Sequence, residues 1–377
     1  MWDSMRGIST GGADERLEAD TNGAEVTGTN FLDLTPTGFK ITTTNGTLNA
    51  EQTYIYMTIR RPDPLVQKPQ LATDVFAMTT GNGSSTIPSL VSNFPVDFFT
   101  VRQPAQSNNW VTSARLMQGK YINLNSTSAE TALANATFDS NSGAYAANWI
   151  DSTYQGWLWK RHAGFDLVAY DGNSIAGRQL PHSLSQTPEM FWVRPRTGAG
   201  AANQNWRVYH KGLNGGTNPE QYYLGLDQTN AESSHTQFWN DTAPTSTHVT
   251  LGTSVEGNYS GYTYLMMLFA SVDGISSVGS FTGSGSSRTI TVGFQPRFII
   301  LKNTSRSNGW ITFDTVRGWG EGADVYDTDA YMWLNDSAAH VTGGFNVGGP
   351  TSTGFSLHAG DISNNQSGDN YIYYCHA

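Results

Sequence analysis

The sequence predicts an all-β protein made of tandem antiparallel β-sandwich repeats, jelly-roll-like or lectin-like, each about 105 residues long. Three observations support this prediction. Charged residues are scarce at 14%, whereas 40 glycines and 12% aromatic residues are present among 377 residues. Short apolar segments alternate with turns rich in Gly, Asn, Asp and Pro. Similar segments also return at a long and nearly constant spacing, which is typical of repeat proteins.

One class of strand defines the period. Its opening aromatic residue is Tyr54 in TYIYMTI, Trp157 in GWLWK, Tyr264 in TYLMMLFA and Tyr371 in NYIYYCHA. These four residues are 103, 107 and 107 positions apart along the chain. A spacing this steady indicates that one sheet-forming module was copied along the chain.

A second class of strand keeps the same spacing. Its members each end on a basic residue and are FPVDFFTVR (94–102), TPEMFWVR (187–194) and FQPRFIILK (294–302). A polar loop then leads to a tryptophan in each copy: Trp110, Trp206 and Trp310. Gly-rich turns precede these strands, namely TTGNGSS (79–85), YDGNS (170–174) and FTGSGSS (281–287).

The spacing divides the chain into a half-unit, residues 1–62, and three complete units, residues 63–168, 169–274 and 275–377. Residues 1 to 60 align with 312–377, since WDSMRG matches FDTVRG and TGFKI matches TGFSL. The half-unit therefore lacks the first strands of a unit. Either the sequence is the C-terminal piece of a longer protein, which we favour, or another chain supplies the missing strands.

The repeated strands are apolar on both faces. In RFIILK, Phe298 and Ile300 point to one side of the sheet, while Ile299 and Leu301 point to the other. A strand of an isolated sandwich alternates apolar with polar residues. We therefore expect a second covering layer over these strands, from a long loop, a neighbouring unit or another subunit.

Composition and motifs argue against several classes of function. The formal net charge of −10 does not suit nucleic-acid binding. The longest apolar run, at 264–270, is too short for membrane insertion. The sequence contains no Gly-x-Ser-x-Gly elbow, no zinc-protease helix and no paired acids, so we expect no catalytic residues and no enzyme activity. The pairs Asp3–Arg6 and Asp314–Arg317 are interpreted as salt bridges or turn caps.

A cluster of acids is the weak candidate for a bound metal ion. Asp324, Asp327 and Asp329 lie within six residues, and calcium favours clustered carboxylates on a loop. The stretch lacks the Gly and closing Glu of the known calcium loop. We expect no cofactor, with Ca²⁺ as the alternative.

Aromatic residues without counterparts in the other units are candidate platforms for sugar rings, and amide side chains in the equivalent loops 102–110, 194–206 and 302–310 are candidate hydrogen-bonding partners. The candidate ligand contacts are Trp149, Trp239, Trp319, Trp333, Asn108, Asn203 and Asn308.

The order of motifs resembles a known repeat family. The string GFQPRFIILKN, W-x-x-FD-x-x-RG, LND-x-AA, GF-x-L and SG-x-x-Y-I is similar to an uncharacterised repeat domain common in bacteriophage virion proteins of tail-fibre and tail-spike type. The resemblance runs from Trp2 to Tyr374 and is clearest for 278–374 and 1–58. The first complete unit departs from it, with WVTSAR (110–115) where FD-x-x-RG is expected.

The resemblance implies a virion structural protein on the particle surface, of tail-fibre, spike or decoration type. It also implies other virion subunits as partners, a homo-oligomer such as a trimer, and attachment to a host-surface glycan through the loops. A purely architectural capsid or tail protein and a polysaccharide depolymerase are the alternatives. The family supplies no catalytic residues.

Overall fold

The computed structural model describes residues 1–3, 8, 12–35, 38–44, 46–59, 68–117, 119–133, 136–320, 329–342, 348–358 and 360–377. The predicted all-β sandwich class is confirmed, since strands dominate and pair antiparallel in several sheets. Helices α1 (Gly46–Asn49) and α2 (Thr236–Trp239) are single turns. Short 3₁₀ turns occupy Ala72–Asp74, Arg115–Met117, Ala201–Asn203, Leu213–Gly216, Pro219–Gln221 and Thr315–Arg317. In the described ranges, no helix is long and apolar enough to span a lipid bilayer.

The half-unit contributes one hairpin, in which β1 (Leu32–Thr35) pairs with β2 (Gly38–Ile41). The first complete unit follows. Its strands are β3 (Phe76–Thr80), β4 (Leu90–Val91), β5 (Phe98–Arg102), β6 (Val111–Ala114), β7 (Lys120–Asn123), β8 (Thr131–Ala132), β9 (Gly143–Ala144) and β10 (Gln155–Trp159). The large sheet has the order β3-β10-β5-β6-β7-β8, and β4 pairs with β9 in a small second sheet.

The second complete unit repeats this plan. Its strands are β11 (Phe165–Asp171), β12 (Arg178–Pro181), β13 (Met190–Thr197), β14 (Arg207–His210), β15 (Tyr222–Gly225), β16 (Ser233–Ser234), β17 (His248–Leu251) and β18 (Thr263–Phe269). The large sheet has the order β11-β18-β13-β14-β15-β16, and β12 pairs with β17.

The third complete unit has the same arrangement. Its strands are β19 (Ser276–Thr282), β20 (Arg288–Thr291), β21 (Phe298–Asn303), β22 (Trp310–Asp314), β23 (Tyr331–Trp333), β24 (Pro350–Thr351), β25 (Gly354–Leu357) and β26 (Asn370–His376). The large sheet has the order β19-β26-β21-β22-β23, and the small sheet has the order β20-β25-β24. In every complete unit the last strand lies between the first strand and the strand of the second class, which is β5, β13 or β21.

One expected boundary falls inside a strand. The division at 168/169 cuts β11, which begins at Phe165 and pairs along its whole length with β18 of the second complete unit. The boundary between the two units lies at residues 160–164, which connect β10 of the first large sheet to β11 of the second. The spacing of the repeated strands fixes the length of a unit but not the residue at which its first strand begins, and the Gly-rich turn follows that first strand.

The register of the last strand also differs from the sequence alignment. Trp157 lies opposite Thr100, in the position that Met267 takes opposite Trp192 and Tyr374 takes opposite Ile300. The counterpart of Tyr264 and Tyr371 is therefore Tyr154, three residues before Trp157. Alignment by residue type selects Trp157 of GWLWK, whereas strand pairing selects Tyr154.

Each large sheet is buried on both faces, as the doubly apolar strands predicted. Phe298 and Ile300 face a core shared by all three complete units, whereas Ile299 and Leu301 face the interior of their own sandwich beneath its small sheet. The shared core also contains Trp159 from the first unit and Trp192 from the second. Of the three expected sources of a second layer, a long loop, a neighbouring unit or another subunit, the neighbouring units cover these strands.

A tryptophan contact joins the three complete units in a closed cycle. In each unit, the indole Nε1 of one tryptophan donates to a backbone carbonyl of another unit. Trp110 of the first unit donates to Trp333 of the third (3.0 Å), Trp206 of the second to Asn123 of the first (2.9 Å), and Trp310 of the third to Gly225 of the second (2.8 Å). The three acceptors occupy equivalent places in their units, two residues before Asn125, Asp227 and Asn335, whose side chains accept from the backbone N–H of the three tryptophans. The units are thus related by approximate three-fold symmetry.

A buried cation accompanies each of these contacts. Arg102 donates to the carbonyl of Asp336 (3.2 Å), Arg194 to Ser128 (2.9 Å) and Lys302 to Thr229 (3.4 Å), each in the next unit of the cycle. All three side chains are buried. Burial lowers the pKa of both arginines to about 10 and that of Lys302 to about 7. The basic residue of each of these repeated strands therefore belongs to the contacts between units.

The predicted last strand of the half-unit is not formed. Residues 53–59 belong to no strand and have no strand partner among the described residues, and Ile55 is fully exposed. The prediction of a strand opening at Tyr54 is wrong for this structure, because the strands that flank this position in a complete unit are missing from the half-unit.

Candidate functional site

An aromatic pair, the exposed Trp149 and the half-buried Tyr154, lies in the turn that leads into β10 of the first complete unit. Trp149 is 45% exposed, and its ring meets that of Tyr154 edge-on at a centroid distance of 5.1 Å and an angle of 68°. Among the described residues, Trp149 is the tryptophan most accessible to solvent. It is thus the predicted candidate that presents an open ring face.

The corresponding tyrosines of the sister units are used differently. The Tyr264 hydroxyl accepts a hydrogen bond from Tyr259 N (2.8 Å) and donates to Val255 O (2.7 Å). The Tyr371 hydroxyl accepts from Gln366 N at 2.9 Å. These hydroxyls fix the turn that precedes the strand. The Tyr154 hydroxyl has no hydrogen-bond partner in the described part of the chain, and Trp149 covers the ring instead.

A shorter strand explains this difference. Strand β10 begins at Gln155, one residue after the tyrosine, whereas β18 and β26 begin at Thr263 and Asn370, one residue before it. Thr153 and Tyr154 therefore belong to the turn rather than to the sheet.

A chain of polar side chains leads to the same turn. Asn108 Nδ2 donates to Gln103 Oε1 (3.0 Å), and Gln103 Nε2 donates to Thr153 Oγ1 (2.8 Å). Thr153 Oγ1 in turn donates to Asp151 Oδ1 (2.5 Å). Hydrogen bonds from Thr153 lower the pKa of the exposed Asp151 carboxyl, because they stabilise its ionised form. The loop 102–110 and the turn 149–154 thus form one surface, here named the Trp149 surface.

Glycines of the 79–85 turn set the position of this surface. Gly81 N donates to Tyr154 O (3.0 Å), and Gly83 N donates to Ile150 O (3.0 Å). A Cβ atom on Gly81 would lie 2.2 Å from Ile150 O. Only glycine allows the two backbones to come this close.

The Trp149 surface combines an exposed aromatic ring with neighbouring polar side chains. An exposed indole offers an apolar face to the C–H groups of a sugar ring, and its neighbours offer amide donors, hydroxyls and an ionised carboxylate for the sugar hydroxyls. Asn108 Oδ1 is buried without a partner in the described structure. The sequence indicated Trp149 and Asn108 as site residues but not Gln103, Asp151, Thr153 and Tyr154. Only the register of β10 shows that Tyr154, rather than Trp157, is the counterpart of Tyr264 and Tyr371.

The other predicted aromatic platforms are enclosed. Trp239 and Trp319 are buried, and their indoles donate to Tyr222 O (3.0 Å) and Gly348 O (2.9 Å), so both predictions of an exposed platform are wrong. Trp333 is half-buried and packs edge-on against Tyr331. Trp239 and Trp319 therefore belong to the cores of their own sandwiches.

The two remaining amides do not join the Trp149 surface. Asn203 is exposed in a 3₁₀ turn of the second complete unit. Asn308 donates through Nδ2 to Ser363 Oγ (3.1 Å), and its backbone N–H donates to Thr229 O (2.7 Å) of the second unit. Asn308 therefore supports the contact between units.

The acidic residues singled out in the sequence have structural roles wherever the structure describes them. Asp314 Oδ2 accepts from Arg317 Nε (2.7 Å) and Asp314 Oδ1 from Arg317 N (2.9 Å), which confirms a salt bridge and turn cap. Arg6 lies outside the described residues, as do Asp324 and Asp327. Asp329 is buried and accepts from Gly320 N. In the ranges that the structure describes, no three His, Cys, Asp or Glu side chains converge as metal ligands.

A second concave region lies where the half-unit hairpin meets the second complete unit. This groove of about 500 Å³ is lined from both sides by residues that include Asp33, Lys40, Arg178 and His248. Its lining includes no Trp, Tyr or Phe ring. The Trp149 surface is the better candidate for carbohydrate.

The fold defines a tandem-repeat β-sandwich protein with an exposed aromatic surface on one unit. A family described as a domain of unknown function (DUF7483) matches residues 158–377, more than half of the chain, and the chain belongs to this family. The match covers the second and third complete units and begins within β10, so the Trp149 surface precedes it. Searches of curated proteins and of solved structures found no significant match.

Proposed function

We propose that this chain is a structural component of a bacteriophage particle, of tail-fibre, spike or surface-decoration type, and that it binds a host-surface glycan through the Trp149 surface. The resemblance of its motifs to virion repeat domains supports the first part of the proposal. The accessible Trp149 ring beside the Asn108–Gln103–Thr153–Asp151 chain is the observation that carries the second.

The architecture suits a rigid attachment module. Three units share one core, so the scaffold holds its surface turns in fixed relative positions. The faces that suggested another subunit are covered within the chain. Homo-oligomerisation therefore rests on the resemblance alone, as does the location on the particle surface.

Glycan binding is tested with the purified chain on an array of bacterial surface polysaccharides and on whole cells. We expect Trp149→Ala to lose at least about tenfold in affinity, because stacking on an aromatic face supplies much of the energy of sugar recognition. Tyr259→Ala is the matched control, since Tyr259 is the exposed aromatic five residues before Tyr264, as Trp149 is before Tyr154. Binding unchanged by Trp149→Ala would remove this site.

A purely architectural capsid or tail protein is the second candidate, favoured by the extensive contacts between units. It predicts no binding of the wild-type chain to any glycan or cell. Immunogold labelling of intact particles tests the virion location separately, since both candidates require the chain on the particle. A depolymerase would instead release reducing sugar from the bound polysaccharide.

A further inference from the structure

The carboxylate of Asp151 is peculiar to the first complete unit. Asp151 stands three residues before the tyrosine of its turn, where the sister units have Gly261 and Gly368. Both glycines have a positive φ, of 86° and 82°, whereas Asp151 does not. The turn of the first unit therefore follows a different path, and this path places a charged side chain where the sister units have none.

One oxygen of this carboxylate remains open to a ligand. Asp151 Oδ1 accepts from Thr153 N (2.9 Å) and from Thr153 Oγ1 (2.5 Å), whereas Oδ2 accepts no hydrogen bond from the described residues. The side chain is exposed. Hydrogen bonds from Thr153 are the main cause of the lowered pKa of Asp151, and no basic side chain of the described ranges contributes to it. The negative charge is thus held by its own turn and is not neutralised by a neighbouring cation.

Two aromatic rings stand beside this carboxylate. Asp151 N donates to Trp149 O (3.1 Å), and Tyr154 N donates to Asp151 O (3.0 Å), so the three residues share one compact turn. The Trp149 and Tyr154 rings meet edge-on at 5.1 Å. Burial and the charge of Asp151 both raise the pKa of Tyr154. The carboxylate therefore lies close enough to the aromatic pair for one ligand group to contact both.

An aromatic face next to an ionised carboxylate suits an ammonium group. The face of an indole ring attracts a cation, and a carboxylate forms a charge-assisted hydrogen bond with it. A bound calcium ion would need six or more oxygen ligands, and no three acidic side chains converge in the described ranges. An acidic sugar would be repelled by the carboxylate. The formal net charge of −10 favours a cationic ligand at longer range as well.

We propose that the Trp149 surface selects glycans that carry a free, positively charged amino group, and that Asp151 is the residue that determines this specificity. The ammonium group lies against the Trp149 ring and pairs with Asp151 Oδ2. Gln103 and Thr153 offer an amide and a hydroxyl to the neighbouring sugar hydroxyls. This inference rests on the proposed glycan binding and narrows it to amino sugars, at the expense of N-acetylated, neutral and acidic ones.

The test compares tetrasaccharides of β-1,4-linked glucosamine, N-acetylglucosamine and glucose, which differ at the amino position. Each is titrated into the full chain in a calorimeter at a pH of about 6, at which an aliphatic amine is protonated. We expect the glucosamine tetramer to bind at least about fivefold more tightly than either of the others. The difference should shrink as salt is added, because the ion pair is exposed.

Asp151→Asn locates the source of this preference. The amide keeps an oxygen that can accept from Thr153 and removes the charge, so we expect the affinities for the glucosamine and N-acetylglucosamine tetramers to come within about twofold of each other. The melting temperature should not change, because the side chain is exposed. Asp241→Asn removes the same charge from an exposed turn of the second complete unit and is the matched control, expected to keep the preference.

Failure of this inference and failure of the proposed function give different results. If neither the tetramers nor any array polysaccharide binds the wild-type chain, glycan binding itself is wrong, and amino-sugar selection falls with it. If a glycan binds through Trp149 without any preference for the glucosamine tetramer, glycan binding stands and selection by charge is overturned. A preference that persists in Asp151→Asn would also overturn it, because attraction to the acidic chain as a whole would then be the cause.

Discussion

The indole Nε1 of Trp206 donates a 2.9 Å hydrogen bond to the backbone carbonyl of Asn123 in the neighbouring unit, and Trp206 is completely buried. Trp110 and Trp310 make the same bond to the equivalent carbonyls of the other units. Because the cycle closes, each unit both donates and accepts one such bond. The three sandwiches are therefore expected to unfold as one cooperative body rather than as independent domains.

Trp206→Phe keeps an aromatic ring and removes the donor. The buried carbonyl of Asn123 then loses this partner, and we expect the free energy of unfolding to fall by about 1–3 kcal/mol. Chemical denaturation followed by circular dichroism measures this loss. Trp149→Phe, at an exposed ring, is the control and should change stability by less than about 0.5 kcal/mol. Two separate unfolding transitions in the wild-type chain would contradict the shared core.

Asp314→Asn tests the buried ion pair of the third unit. Asp314 is fully buried, pairs with Arg317 and also accepts from the Trp157 indole (3.3 Å) of the first unit. Removal of the carboxylate charge leaves the Arg317 guanidinium unpaired, so we expect a loss of about 3 kcal/mol in unfolding free energy. Glu18→Gln, which breaks the more exposed pair with Arg16, should cost less than about 1 kcal/mol.

A double-mutant cycle separates the pair from its surroundings. Asp314→Asn combined with Arg317→Met should cost less than the sum of the two single changes, because the double variant leaves no uncompensated charge. Additive losses would show that packing, rather than the ion pair, carries the effect.

The repeat could be predicted from the spacing of similar segments. The burial of both strand faces could be predicted because alternation along a strand is a local property of the sequence. Sequence reasoning could not choose among the three possible coverings, since the contact of Trp206 with Asn123 spans 83 residues. It also aligned Trp157 with Tyr264, because the register of β10 is set by pairing with β5 and β3 rather than by residue type.

The candidate site could be predicted only in part, because exposure and contacts between distant loops are not visible in the sequence. Trp149 and Trp239 look alike in the sequence, as aromatic residues without counterparts in other units. Their exposure differs because Trp239 lies under the small sheet of its sandwich, where Phe191 and Tyr209 surround it. The hydrogen bond from Gln103 to Thr153 joins two loops 50 residues apart, which spacing alone does not reveal.

Lys302 makes stability depend on pH. Burial lowers the pKa of its ammonium group from 10.5 to about 7 in the folded chain. Between these two values the unfolded chain binds more protons than the folded chain, so this residue makes stability rise with pH from about 7 to about 10. Lys302→Met removes the effect. We expect the variant to gain most over the wild type below pH 7 and the difference to shrink towards pH 10.

The measurement compares the unfolding free energies of the two proteins at each pH. Burial raises the pKa of groups such as Cys375, which also makes stability depend on pH in this range, but these groups are common to both proteins and cancel in the difference. Parallel curves for wild type and variant would show that Lys302 keeps an ordinary pKa.

Gly81→Ala links the Gly-rich turn to ligand binding. The new Cβ would lie 2.2 Å from Ile150 O, so the turn 149–154 must move away from the sheet. We expect a loss of about 1–3 kcal/mol in unfolding free energy and weaker glycan binding, since Trp149 and Thr153 move with the turn. Gly257→Ala, at a position with open space around the added Cβ, is the matched control and should leave binding unchanged. Because Gly81 itself is buried, a variant that loses stability but binds glycan normally would show that the position of this turn does not determine recognition.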